Sequence, residues 1–148
     1  MKIVVISDSH GNIANLKHVL GFARKIKAGA IIHCGDWNNI EAVETVLRCR
    51  IPVYGVNGNA DIDDVMKSKF KDFLKLKIDG KKIGVMHNLT ISHQALVIGC
   101  DVVFCGHKHR QQEYMQGGVK IVNPGALENN ISFAIYDTDT NKVEFLGI

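Results

Sequence analysis

Residues 2–12, KIVVISDSHGN, decide the fold. Ile3, Val4, Val5 and Ile6 form a short apolar run, the mark of a buried strand. The run stops at Asp8-Ser9-His10-Gly11-Asn12. A carboxylate and an imidazole two residues apart, at the end of such a strand, can aim at one point. Gly11 lets the backbone turn, and Asn12 can cap a helix. The arrangement recurs along the chain. Residues 30–35 end in Asp36, 52–56 lead to Asn57-Gly58-Asn59, 83–86 end in His87, and 102–106 end in His107-Lys108-His109. In an open α/β sheet, ligands bind outside the carboxyl ends of the strands. Strands that each place Asp, His or Asn there would gather those side chains in one cleft.

The 148 residues are most simply one domain, 1–148, with enough chain for a sizeable core. A hydrophobic content of 46% against 22% charged residues marks a globular chain, and a net charge of +3 is too small to argue for nucleic acid. No run approaches the roughly 18 apolar residues of a membrane span. The chain enters a strand at once, without the pattern of a secretory leader. Cys34, Cys49, Cys100 and Cys105 form no CxxC pair. They read as reduced, mostly buried thiols of a cytoplasmic protein, not as a structural zinc site.

After Asn12, apolar residues fall at Ile13, Leu16, Leu20, Ala23 and Ile26, a helical spacing, with Gly29 placed to end the helix. Residues 30–34 form the next strand. Asn39 can cap a second helix, with Glu41 and Glu44 early and Arg48 late, as the helix dipole favours. Residues 51–56 form a third strand, and this β-α-β-α-β opening predicts a parallel sheet. Residues 60–69 read as a loop or short helix over the cleft. Residues 72–78 and 81–86 flank Asp79-Gly80, a strong hairpin signal. A third helix fits 92–98, ended by Gly99, and 101–105 is another strand. Hairpins follow: 111–116 with 119–122, and 131–136 with 142–146. The expectation is an α/β fold of two packed sheets with helices outside. Seven lysines lie between Lys67 and Lys82. Lys75 and Lys77 alternate with Leu74, Leu76 and Ile78, as on the solvated face of an edge strand; a phosphate-rich partner is the minority reading.

The candidate metal ligands are Asp8, His10, Asp36, Asn59, His87, His107 and His109. Carboxylate, imidazole and amide oxygen suit zinc, manganese, iron or nickel. The set is too large for one ion and about right for two sharing a bridge. Asp36, central in the order of strands, is the natural bridge, because each of its oxygens can serve one metal. Two divalent ions bring four positive charges and the two aspartates return two. The remainder can hold a hydroxide and a phosphate ester. Metals about 3.5–4 Å apart can generate hydroxide near neutral pH and clamp a phosphoryl group for in-line attack. This argues for phosphoester hydrolysis with a metal-bridging hydroxide as nucleophile and Asp36, Asn59 and His107 among the catalytic residues. His18 reads as a helix-surface residue and His33 as a satisfied core or rim histidine. His93 reads as a surface residue, with the cleft mouth as the minority view. Trp37 reads equally as a cleft wall or as ordinary packing.

Asp8-x-His10, Gly35-Asp36, Gly58-Asn59, His87 and Gly106-His107-x-His109 resemble, in this order, the five blocks of the calcineurin-like metallophosphoesterase superfamily. The resemblance covers essentially the whole chain. The short length and Asn123-Pro124-Gly125 are similar to its small bacterial and archaeal phosphodiesterase branch, which also resembles the scaffold subunit of the eukaryotic retromer coat. The resemblance implies a four-layer α/β/β/α sandwich of two mixed β-sheets flanked by helices. It implies one metal on Asp8, His10, Asp36 and His109 and another on Asp36, Asn59, His87 and His107. Asn12 and the turn at 123–125 would support them. Manganese or nickel is the implied metal, with zinc or iron as alternatives. Many members carry a histidine directly after the third-block asparagine, thought to protonate the leaving group or stabilise the transition state; here that position is Ala60. General acid help is worth roughly 10²–10⁴-fold. The expected substrates are therefore small phosphodiesters or aryl esters rather than alkyl monoesters, with Asp61 a partial substitute. Lys108 stands where a small hydroxyl residue is common, and either faces solvent or meets a phosphate.

Two other functions compete. A non-catalytic protein-interaction scaffold on the same fold has no need to keep all the ligand positions filled. A nuclease would want a long electrostatic track, which the mild charge does not offer, so nucleic acid is not an expected partner. No membrane partner is expected either. An exposed hairpin edge leaves a homodimer open.

Overall fold

The computed structural model describes residues 1–147. The elements run β1 (Lys2–Ile6), α1 (Ile13–Lys25), β2 (Ala30–His33), α2 (Ile40–Leu47), β3 (Val53–Gly55), α3 (Asp64–Lys69), β4 (Phe73–Ile78), β5 (Lys81–Met86), a 3-10 turn at Ile91–His93 leading into α4 (Gln94–Val97), β6 (Val102–Phe104), β7 (Gln111–Gln116), β8 (Val119–Pro124), β9 (Ser132–Asp137) and β10 (Lys142–Gly147). Side-chain caps start α1, α2 and α3: Asn12 accepts from the Asn15 N–H at 3.0 Å, Asn39 from Ala42 at 3.0 Å, and Asp63 from Met66 at 2.8 Å.

The strands form two mixed five-stranded sheets, ordered β10-β9-β1-β2-β3 and β4-β5-β6-β8-β7. In the first, β1, β2 and β3 are parallel and β9 runs antiparallel against β1. In the second, β5, β6 and β8 are parallel, with β4 and β7 as antiparallel edges.

Alternation along each strand explains the layers. Ile3 and Val5 face the space between the sheets with Ile32, Val85, Val102, Phe104, Val122 and Tyr136. Val4, Ile6 and Ile31 face the other way, onto α1 and α2 through Leu16, Leu20, Val43 and Val46. Val103 and Ile121 leave the second sheet on its outer side and meet Val97 of α4. Helices, sheet, sheet and helix therefore stack as the expected four-layer α/β/β/α sandwich.

Local expectations needed adjustment. α1 does not run to Gly29: the chain turns at Lys27, whose φ is 54°, and Gly29 lies under the Met1 side chain. The third strand is shorter than 51–56, the helix expected over 92–98 is a 3-10 turn plus one short helix, and 60–69 does contain a helix. Lys75 and Lys77 are exposed on edge strand β4 while Leu74 and Leu76 pack inward.

Phe104 is fully buried between the sheets, its ring edge-on to Tyr136 at 5.4 Å. Phe104→Ala should cost about 3–5 kcal/mol in denaturant unfolding. Exposed Lys77→Ala should change stability by less than about 0.5 kcal/mol.

Candidate metal centre

The carboxyl ends of β1, β2, β5 and β6 meet at one edge of the sandwich. The loops leaving them are wound tightly. Asp8, His10, Asp36, His107 and His109 all adopt left-handed backbone, with φ of 52°, 41°, 61°, 70° and 54°. This region is uncommon for residues other than glycine and is over-represented at functional sites. Strand-like backbone at these positions would splay the side chains apart; the left-handed turns fold them back over the strand ends.

One ligand atom from each of Asp8, His10, Asp36 and His109 lies within 4.8 Å of the others. The His109 Nε2 is 3.0 Å from Asp8 Oδ1, and the His10 Nε2 is 3.4 Å from Asp36 Oδ2. His87 joins from the other side, its Nε2 3.2 Å from the same Asp36 Oδ2. The His107 Nδ1 lies 3.1 Å from Asn59 Oδ1, and the His87 and His107 rings meet edge-on at 5.2 Å. Atoms bound side by side to one ion at about 2.1 Å stand about 3 Å apart, so these spacings suit shared ions. Asp8 Oδ1, His10 Nε2 and His87 Nε2 are buried with no hydrogen-bond partner. Buried polar atoms left unpaired are costly, and these three converge on the same small volume, as ligands of an ion would. The other side-chain polar atoms of Asp8 and His87 are taken. Asp8 Oδ2 accepts from Ser7 Oγ at 2.6 Å and the His107 N–H at 3.0 Å, and the His87 Nδ1–H donates to the Cys34 carbonyl at 2.8 Å.

The sequence matches the calcineurin-like phosphoesterase superfamily domain over residues 1–141. The chain belongs to that superfamily. It is 30% identical over 136 residues to the probable metallophosphoesterase YsnB of Bacillus subtilis, covering 86% of this chain and 75% of that one. Among solved structures it resembles an archaeal phosphodiesterase with a TM-score of 0.86 at 23% identity over the whole of both chains. It also resembles zinc-complexed Vps29 of Entamoeba histolytica, with a TM-score of 0.73 at 18% identity over 100% of this chain and 98% of the other.

Four further residues support this phosphoesterase-family site, and of these Asp61 and Ser7 carry no obvious mark of that role in the sequence. Asp61 is buried and spends both oxygens on backbone: Oδ2 accepts from the Asp36, Trp37 and Gly58 N–H groups at 2.9, 3.2 and 2.9 Å, and Oδ1 from Asn38 at 2.8 Å. It cannot be the substitute proton donor; it fastens the Asp36 turn to the Gly58 turn. The one available signal was an aspartate shortly after Gly58-Asn59, where side chains commonly accept turn N–H groups. Ser7 orients Asp8. Gly58 and Gly106 permit close approach, since a Cβ would strike the Asp36 carboxylate at the first and Ser7 and Asp8 at the second. Asn12 and Asn123 tie down backbone near the site. The Asn12 Nδ2 donates to the Glu128 carbonyl at 2.7 Å, and the Asn123 Nδ2 donates to the Gly106 carbonyl at 2.7 Å.

His33 is not a ligand. It is wholly buried beneath the site, stacked on Trp37 at 3.6 Å, and Trp37 stacks in turn on Phe70 at 4.8 Å. Trp37 is thus core and not a cleft wall. The Gly35 N–H donates to His33 Nδ1 at 3.1 Å, so the ring proton sits on Nε2 and is given to Ser9 Oγ at 3.0 Å. His33 thereby ties the Asp8-x-His10 loop to the Asp36 loop. His18 and Lys108 are exposed, whereas His93 is half-buried on the wall of the cleft.

Burial opposes the charge on Asp36, but the His87 ring and the Ala60 N–H at 2.8 Å prevail and hold the carboxyl down at about 2. Burial likewise opposes the charge on His87, but Asp36 and then Asp8 prevail and raise it. Burial, with the neighbouring His87, pushes His33 from 6.5 down to about 3. An unfolded chain therefore binds a proton at His33 that the folded one refuses. Stability from this residue is whole above pH 6.5 and is lost as pH falls from there towards 3. For the metal-free protein, denaturant titrations across this window should show stability falling by up to about 1.4 kcal/mol per pH unit for that proton. His33→Gln should flatten this part of the slope. Equal slopes in the two proteins would contradict it.

Proposed function

We propose that the protein is a dimetal phosphodiesterase acting on small phosphoesters. The observation that carries this is Asp36 Oδ2, which stands 3.4 Å from His10 Nε2 and 3.2 Å from His87 Nε2, between two groups of ligand candidates. Asp8, His10, Asp36 and His109 would hold one ion, and Asp36, Asn59, His87 and His107 the other. Asp36 would serve both ions, and its Oδ1 also accepts the Ala60 N–H at 2.8 Å. Two divalent ions bound there would supply hydroxide near neutral pH and neutralise the phosphoryl oxygens. Manganese or nickel, with zinc or iron as alternatives, fits the mixed oxygen and nitrogen donor set.

The cleft supports a diester. A cavity of about 570 Å³ extends from Gly58 and Asn59 past Phe70, and a second of about 300 Å³ extends from the same edge past His87 and His93. A phosphorus beside Asn59 would have room for one ester arm in each. The likeness to a protein described as an archaeal phosphodiesterase agrees. Ala60 offers the cleft no side-chain donor for a poor leaving group. Both sheets contribute to the site, which supports treating 1–148 as one catalytic unit. All four cysteines are free and buried, in keeping with a reducing cytoplasm. Among the described residues no helix is long and apolar enough to cross a membrane. A scaffold is the second reading, favoured by the likeness to Vps29.

Hydrolysis of a bis-aryl phosphodiester and an aryl phosphomonoester, by protein stripped of metal and resupplied with manganese, nickel, zinc or magnesium, tests the proposal. Metal-dependent turnover with the diester ahead, lost by at least about 10²-fold in a folded Asp36→Asn variant, is expected. Silence with every metal in a protein that binds two ions would favour the scaffold.

A further inference from the structure

The smaller cavity is walled by His87, His107 and His93. Most polar side chains on its wall are committed. Asn57 gives its Nδ2 to the Phe70 carbonyl at 2.6 Å, Asn59 and His107 face each other at 3.1 Å within the ligand group, and Asp72 can only accept. Asn88 and His93 remain as donors outside the ligand set.

The state of His93 is fixed by Thr90. The Thr90 backbone N–H lies 3.2 Å from His93 Nδ1, and Thr90 Oγ1 lies 2.9 Å from the same atom. A backbone amide can only donate, so Nδ1 carries the lone pair and the proton is on Nε2. The contact is one half of a capping box, with an imidazole in place of the usual carboxylate or amide, while the His93 N–H donates to the Thr90 carbonyl at 3.0 Å. It holds the ring through Nδ1, and Nε2–H has no hydrogen-bond partner among the described residues.

We propose that His93 donates a hydrogen bond from Nε2 to the leaving oxygen of the substrate. The inference rests on the phosphodiesterase reading. As hydroxide adds to phosphorus and the phosphorus–oxygen bond breaks, the bond pair moves onto the leaving oxygen, and Nε2–H meets the growing charge. The ring keeps its proton. The departing oxyanion takes its proton from water. A fixed donor aimed at developing charge is worth about 10²–10³-fold. The benefit falls mainly on leaving groups that cannot carry the charge alone. The specificity of the cavity is accordingly for an arm that leaves as a basic oxyanion.

A series of methyl aryl phosphodiesters, with leaving groups from para-nitrophenol to unsubstituted phenol, tests this in the manganese-loaded protein. His93→Ala should lose roughly 10²-fold in kcat/KM on the phenyl ester and less than about threefold on the nitrophenyl ester. His93→Gln, which keeps an N–H, should recover part of the loss. Calorimetric metal binding should match wild type in both variants. An equal loss across the series, a lost ion in His93→Ala, or the steeper dependence appearing in Asn88→Ala instead would overturn the assignment. Wild-type protein inactive on every ester would overturn the phosphodiesterase reading, and this inference with it.

Discussion

Two carboxylates, Asp8 and Asp36, are buried side by side at the edge of the sandwich, and the rest of the structure depends on how their charge is met. They are 0% and 2% exposed, and among the described residues their cationic partners are all imidazoles. A buried carboxylate costs several kcal/mol unless compensated. A proton on His87 can compensate, but it occupies the same nitrogen lone pair that an ion would use. Metal and proton therefore compete for the cluster, and the raised His87 marks how strongly the site attracts positive charge.

Assembling this cluster is expensive. Five left-handed residues at the strand ends, at about 1–3 kcal/mol each, must be held by their surroundings. Their supports come from different parts of the chain. Asp61 fixes the Asp36 turn, His33 fixes the turns after β1 and β2 to one another, and Asn123 fixes Gly106. Beneath them lies a core buried on both faces of both sheets, rigid enough to impose these conformations. Fold and site are linked through this backing: the sandwich stabilises strained loops, and the strained loops aim the side chains.

Much of this was legible in the residues. Buried strands announce themselves as apolar runs, and Asp, His or Asn immediately after such runs points to a shared cleft. Asn12 and Asn39 capped the helices that their positions suggested. What escaped was non-local. Pairing of β9 against β1 joins Ala134 to Val5, and no local pattern encodes that choice. Gly29 looked like a helix stop, but Lys27 accepted the left-handed turn because the following chain must enter β2. Asp61 looked like a free acid because its backbone donors come from residues up to 25 positions away. His93 looked like surface because the cavity beside it is assembled from separate stretches of chain, at 57–59, 72, 86–88 and 107.

The claim that Asp36 would serve two ions is tested most directly by calorimetric titration of manganese into metal-stripped protein at neutral pH. The account predicts two ions per chain, with both affinities weakened in Asp36→Asn, only one in His10→Ala, and only the other in His87→Ala. A single ion per chain, or an Asp36→Asn variant that keeps one site at wild-type affinity, would contradict it.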